Sequence, residues 1–199
     1  MSEPRFLIAD LWTFFILLCL GTAFLTGCQS EDTVIDKYNH LIAKDPENAQ
    51  YYVQRGLRYE ELNRVDEALA DYNKAIELAP READYYYNRG NIYLTRTDYS
   101  KAIENFDEAI KLNPENADYY NNKGYAYNRL KKFDEAIEAF TEAIALRPDE
   151  PDFLYGRALA YFDQGQKDKA EFDYQQLLEL DPDYQYGLEI TKSEPAPQP

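Results

Sequence analysis

The chain has a single histidine, His40, a single tryptophan, Trp12, and no methionine beyond Met1. Its serines are Ser2, Ser30, Ser100 and Ser193. A two-histidine metal site is excluded, and histidine-assisted serine chemistry is not expected, because these serines sit in the leader, after it, at a helix start and in the terminal tail. There are two cysteines, Cys19 and Cys28, both in the first thirty residues, so no disulfide staples the rest of the chain. The 8 glycines form no phosphate-cradling loop. Positive charge is scarce: 21 Lys and Arg face 37 Asp and Glu, a net charge of −16. That balance disfavours nucleic acid, whose binding depends on cationic contacts to phosphate, and disfavours anionic lipid surfaces as well. No apolar run reaches the roughly 20 residues of a membrane span. The longest, Leu11 to Leu25, has about fifteen.

What the chain does have is a period. Pro46, Pro80, Pro114, Pro148 and Pro182 succeed one another at intervals of 34 residues. Units begun at Ala49, Ala83, Ala117 and Pro151 align throughout. Their fourth positions are Tyr52, Tyr86, Tyr120 and Leu154, and their eighth are Gly56, Gly90, Gly124 and Ala158. The eleventh is tyrosine in every unit (Tyr59, Tyr93, Tyr127, Tyr161), and the twentieth is alanine (Ala68, Ala102, Ala136, Ala170). The twenty-fourth is Tyr72, Phe106, Phe140 and Tyr174, and the twenty-seventh is Ala75, Ala109, Ala143 and Leu177. Positions 4, 8 and 11 share one helical face, and positions 20, 24 and 27 repeat the spacing on a second helix. A fixed period of this length indicates a helix-turn-helix solenoid.

This pattern resembles the tetratricopeptide repeat over residues 49–184. The resemblance implies an all-α fold, a right-handed superhelical α-α solenoid of four units over 49–82, 83–116, 117–150 and 151–184. Residues 32–48 read as an N-terminal capping half repeat with Val34, Tyr38 and Leu41 at its core positions. Residues 185–192 read as a short closing segment with Leu188 and Ile190 inward, and 193–199 as a disordered tail. Asn48 and Asn116 are expected to cap the first helices directly after them, and Asp66, Ser100, Asp134 and Asp168 to open the second helices by capping their free N–H groups. Glu60-Glu61 and Asp134-Glu135 are expected on solvent faces.

The first thirty residues are a separate object. The apolar run has the length of a signal-peptide core and ends in Leu25-Thr26-Gly27-Cys28, which resembles the bacterial lipobox. The resemblance implies a lipoprotein signal peptide over 1–27, cleavage before Cys28, palmitate-type acylation of Cys28, and a lipidated tether over 28–31. More than one acyl chain gives stable anchoring. Gln29 after the cysteine implies outer-membrane sorting in a cell with two membranes. The expected location is thus a cell-membrane or outer-membrane lipoprotein facing the periplasm or the extracytoplasmic side. The leader carries only Arg5 as a basic residue, against Glu3 and Asp10, so an uncleaved anchor helix over residues 6–25 with a cytosol-facing domain is the alternative.

In the family, the first helix of each unit lines a concave groove. Its matching positions here give Tyr87, Asn88 and Asn91 from the second unit, Asn121, Asn122, Tyr125, Asn128 and Arg129 from the third, and Tyr155, Leu159 and Phe162 from the fourth. Asparagine donates and accepts at once, which suits a peptide backbone, and tyrosine adds contact area at low entropy cost. A carboxylate clamp would need lysine at position 5 or 2, and Val53, Tyr87, Asn121, Tyr155, Gln50, Asp84, Asp118 and Asp152 stand there instead. The groove is therefore expected to take a protein or peptide partner without a cofactor, metal, nucleic acid or small-molecule substrate. The function expected is an interaction scaffold or adaptor of the bacterial cell envelope, and an enzyme is the remote alternative. Position 7 is cationic in every unit (Arg55, Arg89, Lys123, Arg157), and these heads are expected to reach neighbouring carboxylates while their stems cover apolar surface.

Overall fold

A computed structural model describes residues 33–184. The expected signal peptide, Cys28 and its tether, the closing segment and the tail lie outside the described residues. Among the described residues every regular element is an α-helix. The first, α1, covers 33–44. Four helical pairs come after it: α2 (Ala49–Glu61) with α3 (Val65–Leu78), α4 (Ala83–Thr95) with α5 (Tyr99–Leu112), α6 (Ala117–Arg129) with α7 (Phe133–Leu146), and α8 (Pro151–Asp163) with α9 (Lys167–Leu180). The fold class is an all-α solenoid, and the helices pack in chain order, each against the next. First helices of successive pairs also touch, α4 with α6 and α6 with α8.

The turn inside each pair is the same three-residue device. In the first, Asn63 N–H donates to the Glu60 carbonyl and Arg64 N–H to the Tyr59 carbonyl, at 2.8 and 2.7 Å. This crossed pair of bonds ends α2, and its middle residue adopts a left-handed backbone. The corresponding φ angles are 57° at Asn63, 58° at Thr97, 60° at Lys131 and 86° at Gly165. The residue after it is already the cap of the next helix: Arg64, Asp98, Lys132 and Gln166. Asp66, Ser100, Asp134 and Asp168 are therefore not caps, contrary to the expectation from their side chains. They lie within the first turn, where Asp66, Asp134 and Asp168 face the positive end of the helix dipole. Among the four caps only Asp98 uses its side chain, accepting from Lys101 N–H. The caps before first helices match the sequence where asparagine is present, since Asn48 accepts from Gln50 N–H and Asn116 from Asp118 N–H.

The core is the periodic set. Ala68, Tyr72, Ala75, Ala102, Phe106, Ala109, Ala136 and Ala143 are buried at 0% exposure or within a fraction of it. Glycine at position 8 lets the aromatic at position 24 approach its partner helix. A Cβ on Gly90 would stand 2.6 Å from Phe106 Cε1, and one on Gly56 2.9 Å from Tyr72 Cε1.

Successive pairs meet through positions 17 and 21. Val65 and Leu69 pack beside buried Ile92, and Tyr99 and Ile103 beside buried Ala126. Ile137 packs beside buried Ala160. In α9 the same two positions are Lys167 and Glu171, so the last pair presents a polar face where another repeat would dock. At the other end, α1 meets the first unit through buried Ile35 and half-buried Ile42. Val34, Tyr38 and Leu41 are only half-buried, because the first helix that would cover them in a complete unit is not there among the described residues. His40 is exposed on the same helix.

Candidate functional site

The cationic column at position 7 ties the units together. Arg55 donates Nε and Nη2 to the two carboxylate oxygens of Asp71, at 2.8 and 2.6 Å, and Nη1 to Asn39 of α1 at 2.7 Å. Arg157 does the same with Asp173, at 2.7 and 2.8 Å, and reaches back to Thr141 at 3.2 Å. Arg89 bonds Asn105 and Asn73 at 2.7 and 2.8 Å. In the third unit the inner partner position holds Ala139, and Lys123 pairs only outward, with Asp107 at 2.7 Å. Each cation thus bonds its own second helix, the preceding one, or both. Bonding to Asp71 raises the Arg55 pKa against the effect of burial, while for Arg157 burial acts downward and the Asp173 bonds outweigh it. The structural role expected for this column is what the geometry displays.

Other polar links bridge units in ways the sequence did not announce. Tyr119 donates its hydroxyl to Asp84, and Tyr85 donates to Gln50 Oε1 at 3.3 Å. Both are steps of 35 residues from position 3 to position 2 of the preceding unit. The signal was available as a tyrosine at position 3 facing a polar residue at position 2. Phe153 breaks the series, and Asp118 is held by Arg147 at 2.5 Å instead. Steps of 30 residues join Arg96 to Asp66 and Gln164 to Asp134, the latter at 2.6 Å. Glu60, expected on a solvent face, is half-buried and accepts from the Tyr72 hydroxyl. Its carboxyl pKa is raised by burial, partly opposed by that bond.

The face built from first helices gathers most of the residues expected in a groove. A cleft of about 460 Å³ opens between α6 and α8, lined among others by Asn121, Asn122, Tyr125, Asn128 and Tyr155, with Leu159 and Leu94. A second cavity of about 600 Å³ adjoins it and shares Tyr125, Asn128 and Leu159, adding Arg129, Phe133 and Asp163. Tyr125 is exposed, at 45%. Asn122 Nδ2 donates to Asn91 Oδ1 at 2.8 Å and to the Tyr87 hydroxyl at 3.1 Å, and Asn121 Nδ2 donates to Asn122 Oδ1 at 3.2 Å. Asn128 Nδ2 lies 3.4 Å from Asp163 Oδ2, and its Oδ1 is buried without a hydrogen-bond partner among the described residues. An unpaired buried acceptor costs about 1–3 kcal/mol.

These features match a known repeat. The tetratricopeptide repeat profile matches residues 87–151 and 129–185, and a second TPR repeat profile matches residues 56–96. The chain belongs to the tetratricopeptide repeat family. Among solved structures, MamA is 26% identical, with a TM-score of 0.73 over 79% of this chain and 92% of that one. YrrB, described as a TPR protein with an unusual peptide-binding site, is 25% identical, with a TM-score of 0.66 over 74% of this chain and 76% of its own. MamA from Desulfovibrio magneticus RS-1 shares the fold at 18% identity, with a TM-score of 0.73 over 89% of this chain and 97% of that one. A search of curated proteins gives no match.

Within this tetratricopeptide repeat array the eight expected groove residues divide. Asn121, Asn122, Tyr125, Asn128 and Tyr155 line the α6–α8 cleft. Tyr87 is half-buried and packs between units: its ring lies 5.0 Å from Tyr119 and 5.9 Å from Phe106, and its phenol is made harder to ionise by burial. Asn91 supports Asn122 from below, and Asn88 is half-buried on α4 and lines neither cavity. Gly156, Tyr184 and Asp152 also line the cleft and were not among the expected residues. The Tyr184 ring lies 5.6 Å from Tyr155, and its hydroxyl donates to Asp152 at 2.6 Å.

Proposed function

We propose that this chain is a membrane-tethered interaction scaffold that holds a protein or peptide partner on the face formed by α4, α6 and α8. The observation that carries this reading is the α6–α8 cleft, in which asparagine carboxamides of α6 share one lining with apolar and aromatic side chains of α4, α6 and α8. Carboxamides there can bond a peptide backbone in both directions, while tyrosines supply contact area. Its likeness to YrrB, a protein described by its peptide-binding site, supports the same reading. The work is binding and positioning, without chemistry of its own.

The tether is read from Leu25-Thr26-Gly27-Cys28 at the end of the apolar run: a signal peptide removed before Cys28, with acylation of that cysteine on the extracytoplasmic side. Labelling with radioactive palmitate tests it. The wild type incorporates label and stays with the membrane fraction, and the Cys28→Ala variant loses both label and processing. A variant that keeps its size and membrane fraction would instead support the uncleaved anchor. Binding is tested by placing a photo-crosslinking amino acid at position 125 or at position 145 of α7. Adducts from position 125 alone support the scaffold reading, and equal adducts from both positions remove it.

A further inference from the structure

The net charge of −16, which disfavours an anionic lipid surface for the chain as a whole, is not spread evenly over the array. Two edges run along it, and each is continuous. At one edge the turns inside the pairs stand side by side: Arg96 bonds Asp66, Arg129 Nε donates to the Tyr99 hydroxyl at 3.1 Å, and Gln164 donates to Asp134 at 2.6 Å. At the other edge the proline loops between pairs are joined in the same way, through Tyr119 with Asp84, Arg147 with Asp118 and Tyr184 with Asp152. The turn edge, residues 58–67, 92–101, 126–135 and 160–169, holds nine basic and nine acidic residues. The loop edge, residues 41–50, 75–84, 109–118, 143–152 and 177–184, holds four basic and thirteen acidic residues. Lys131, Lys132, Lys167 and Lys169 are exposed on the turn edge. One helix length separates the two edges, about 20 Å for 14 residues.

The chain enters the array on the turn edge. Arg55 reaches Asn39 of α1 as Arg89 reaches Asn73 of α3 and Arg157 reaches Thr141 of α7, so α1 lies in the register of a second helix and begins where second helices begin. Cys28 precedes that start by five residues, which span at most about 18 Å. We infer that the turn edge is the surface the tethered array turns to an anionic lipid bilayer, with its exposed lysines against headgroup phosphates and the acidic loop edge pointing away. This rests on the acyl tether proposed above and adds the orientation of what it holds. Inverting the array would lift the start of α1 by a helix length, about 20 Å, which the tether does not span. Screening confines the potential of the lipid surface to about 8 Å at physiological salt, so the acidic edge, a helix length further out, is not repelled. A partner on the first-helix face is then held beside the bilayer, with the Arg129 and Lys131 end of that face nearest the lipid.

Fluorescence quenching tests it. The full-length chain, isolated from membranes, is reconstituted in vesicles of phosphatidylglycerol and phosphatidylcholine that carry a nitroxide on part of their headgroups. A fluorescent amino acid replaces one exposed residue at a time: Ser100 or Asp168 on the turn edge, Glu115 or Asp149 on the loop edge. Labels at 100 and 168 should lose most of their emission, and labels at 115 and 149 little of it. In about 1 M salt the screening length falls to about 3 Å, and the label at 168, far from the tether, should regain its emission. Lys131→Glu with Lys132→Glu should do the same at low salt, with the helical circular dichroism unchanged. Equal quenching at both edges, stronger quenching at the loop edge, or quenching at 100 without 168 overturns the orientation and leaves the tether in place. A pattern indifferent to salt and to the double variant overturns it too, because the lysines then do not hold the edge to the lipid. A chain that does not float with the vesicles overturns the tether and the orientation together.

Discussion

Arg157 and Asp173 form a two-pronged ion pair, at 2.7 and 2.8 Å, with the carboxylate only 2% exposed. Removing one partner strands a buried charge, whereas removing both leaves an apolar contact. Arg157→Leu should destabilise the chain by about 3–5 kcal/mol, and Arg157→Leu with Asp173→Leu should recover most of the loss. Lys123→Ala, which breaks a pair with a half-exposed Asp107, should cost less than about 1 kcal/mol. Urea unfolding monitored by circular dichroism compares the four proteins.

Thr97 occupies a left-handed position with φ 58° and is β-branched, while the equivalent residue of the last unit is Gly165. The strain on threonine exceeds the entropy that glycine loses on folding. Thr97→Gly should raise stability by about 0.5–1 kcal/mol, and Gly165→Val should lower it by a comparable or larger amount. Thermal melting of both variants reads the two signs.

Gly90→Ala places a methyl 2.6 Å from the fully buried Phe106 ring. The expected cost is about 1–3 kcal/mol. Phe106→Leu added to Gly90→Ala should remove part of the clash, so the double variant should be more stable than the two separate losses combined. A double-variant cycle in urea measures that coupling.

Glu60 binds its proton more tightly in the fold than in the unfolded chain, because burial raises its pKa above 4.5. Its ionisation therefore opposes folding. The opposition is absent well below pH 4.5, grows as pH rises, and is complete above the folded pKa. Glu60→Gln keeps an acceptor for Tyr72 and removes the charge. The stability of the variant relative to wild type should rise between about pH 4 and pH 7. Unfolding midpoints at four pH values within that range test the slope.

The repeating architecture was legible because Gly56, Gly90, Tyr72 and Phe106 are each constrained by one close approach, and such constraints leave the same residue type every 34 positions. The second-helix caps were misplaced for an equally physical reason. The turn of crossed backbone bonds hands the chain to the next helix at Arg64 or Lys132 whatever the side chain, so a search for aspartate lands two residues late. Tyr87 stands at a position that faces the groove in the pattern, and its packing on Phe106 and Tyr119 was not legible because an aromatic there is long enough to reach between units. Gly156 falls outside the 34-residue pattern, and its reason shows only when the Phe140 ring is located where its side chain would stand.

Lys167 and Glu171 also bear on how such a chain can change length. A duplication of 34 residues that falls between the second and third units presents Tyr99, Ile103 and their counterparts to a new neighbour and extends the array without a mismatch. A duplication appended after α9 forces an ammonium and a carboxylate into the seam between two units. The array thus accepts an added unit more readily between its existing units than directly against α9.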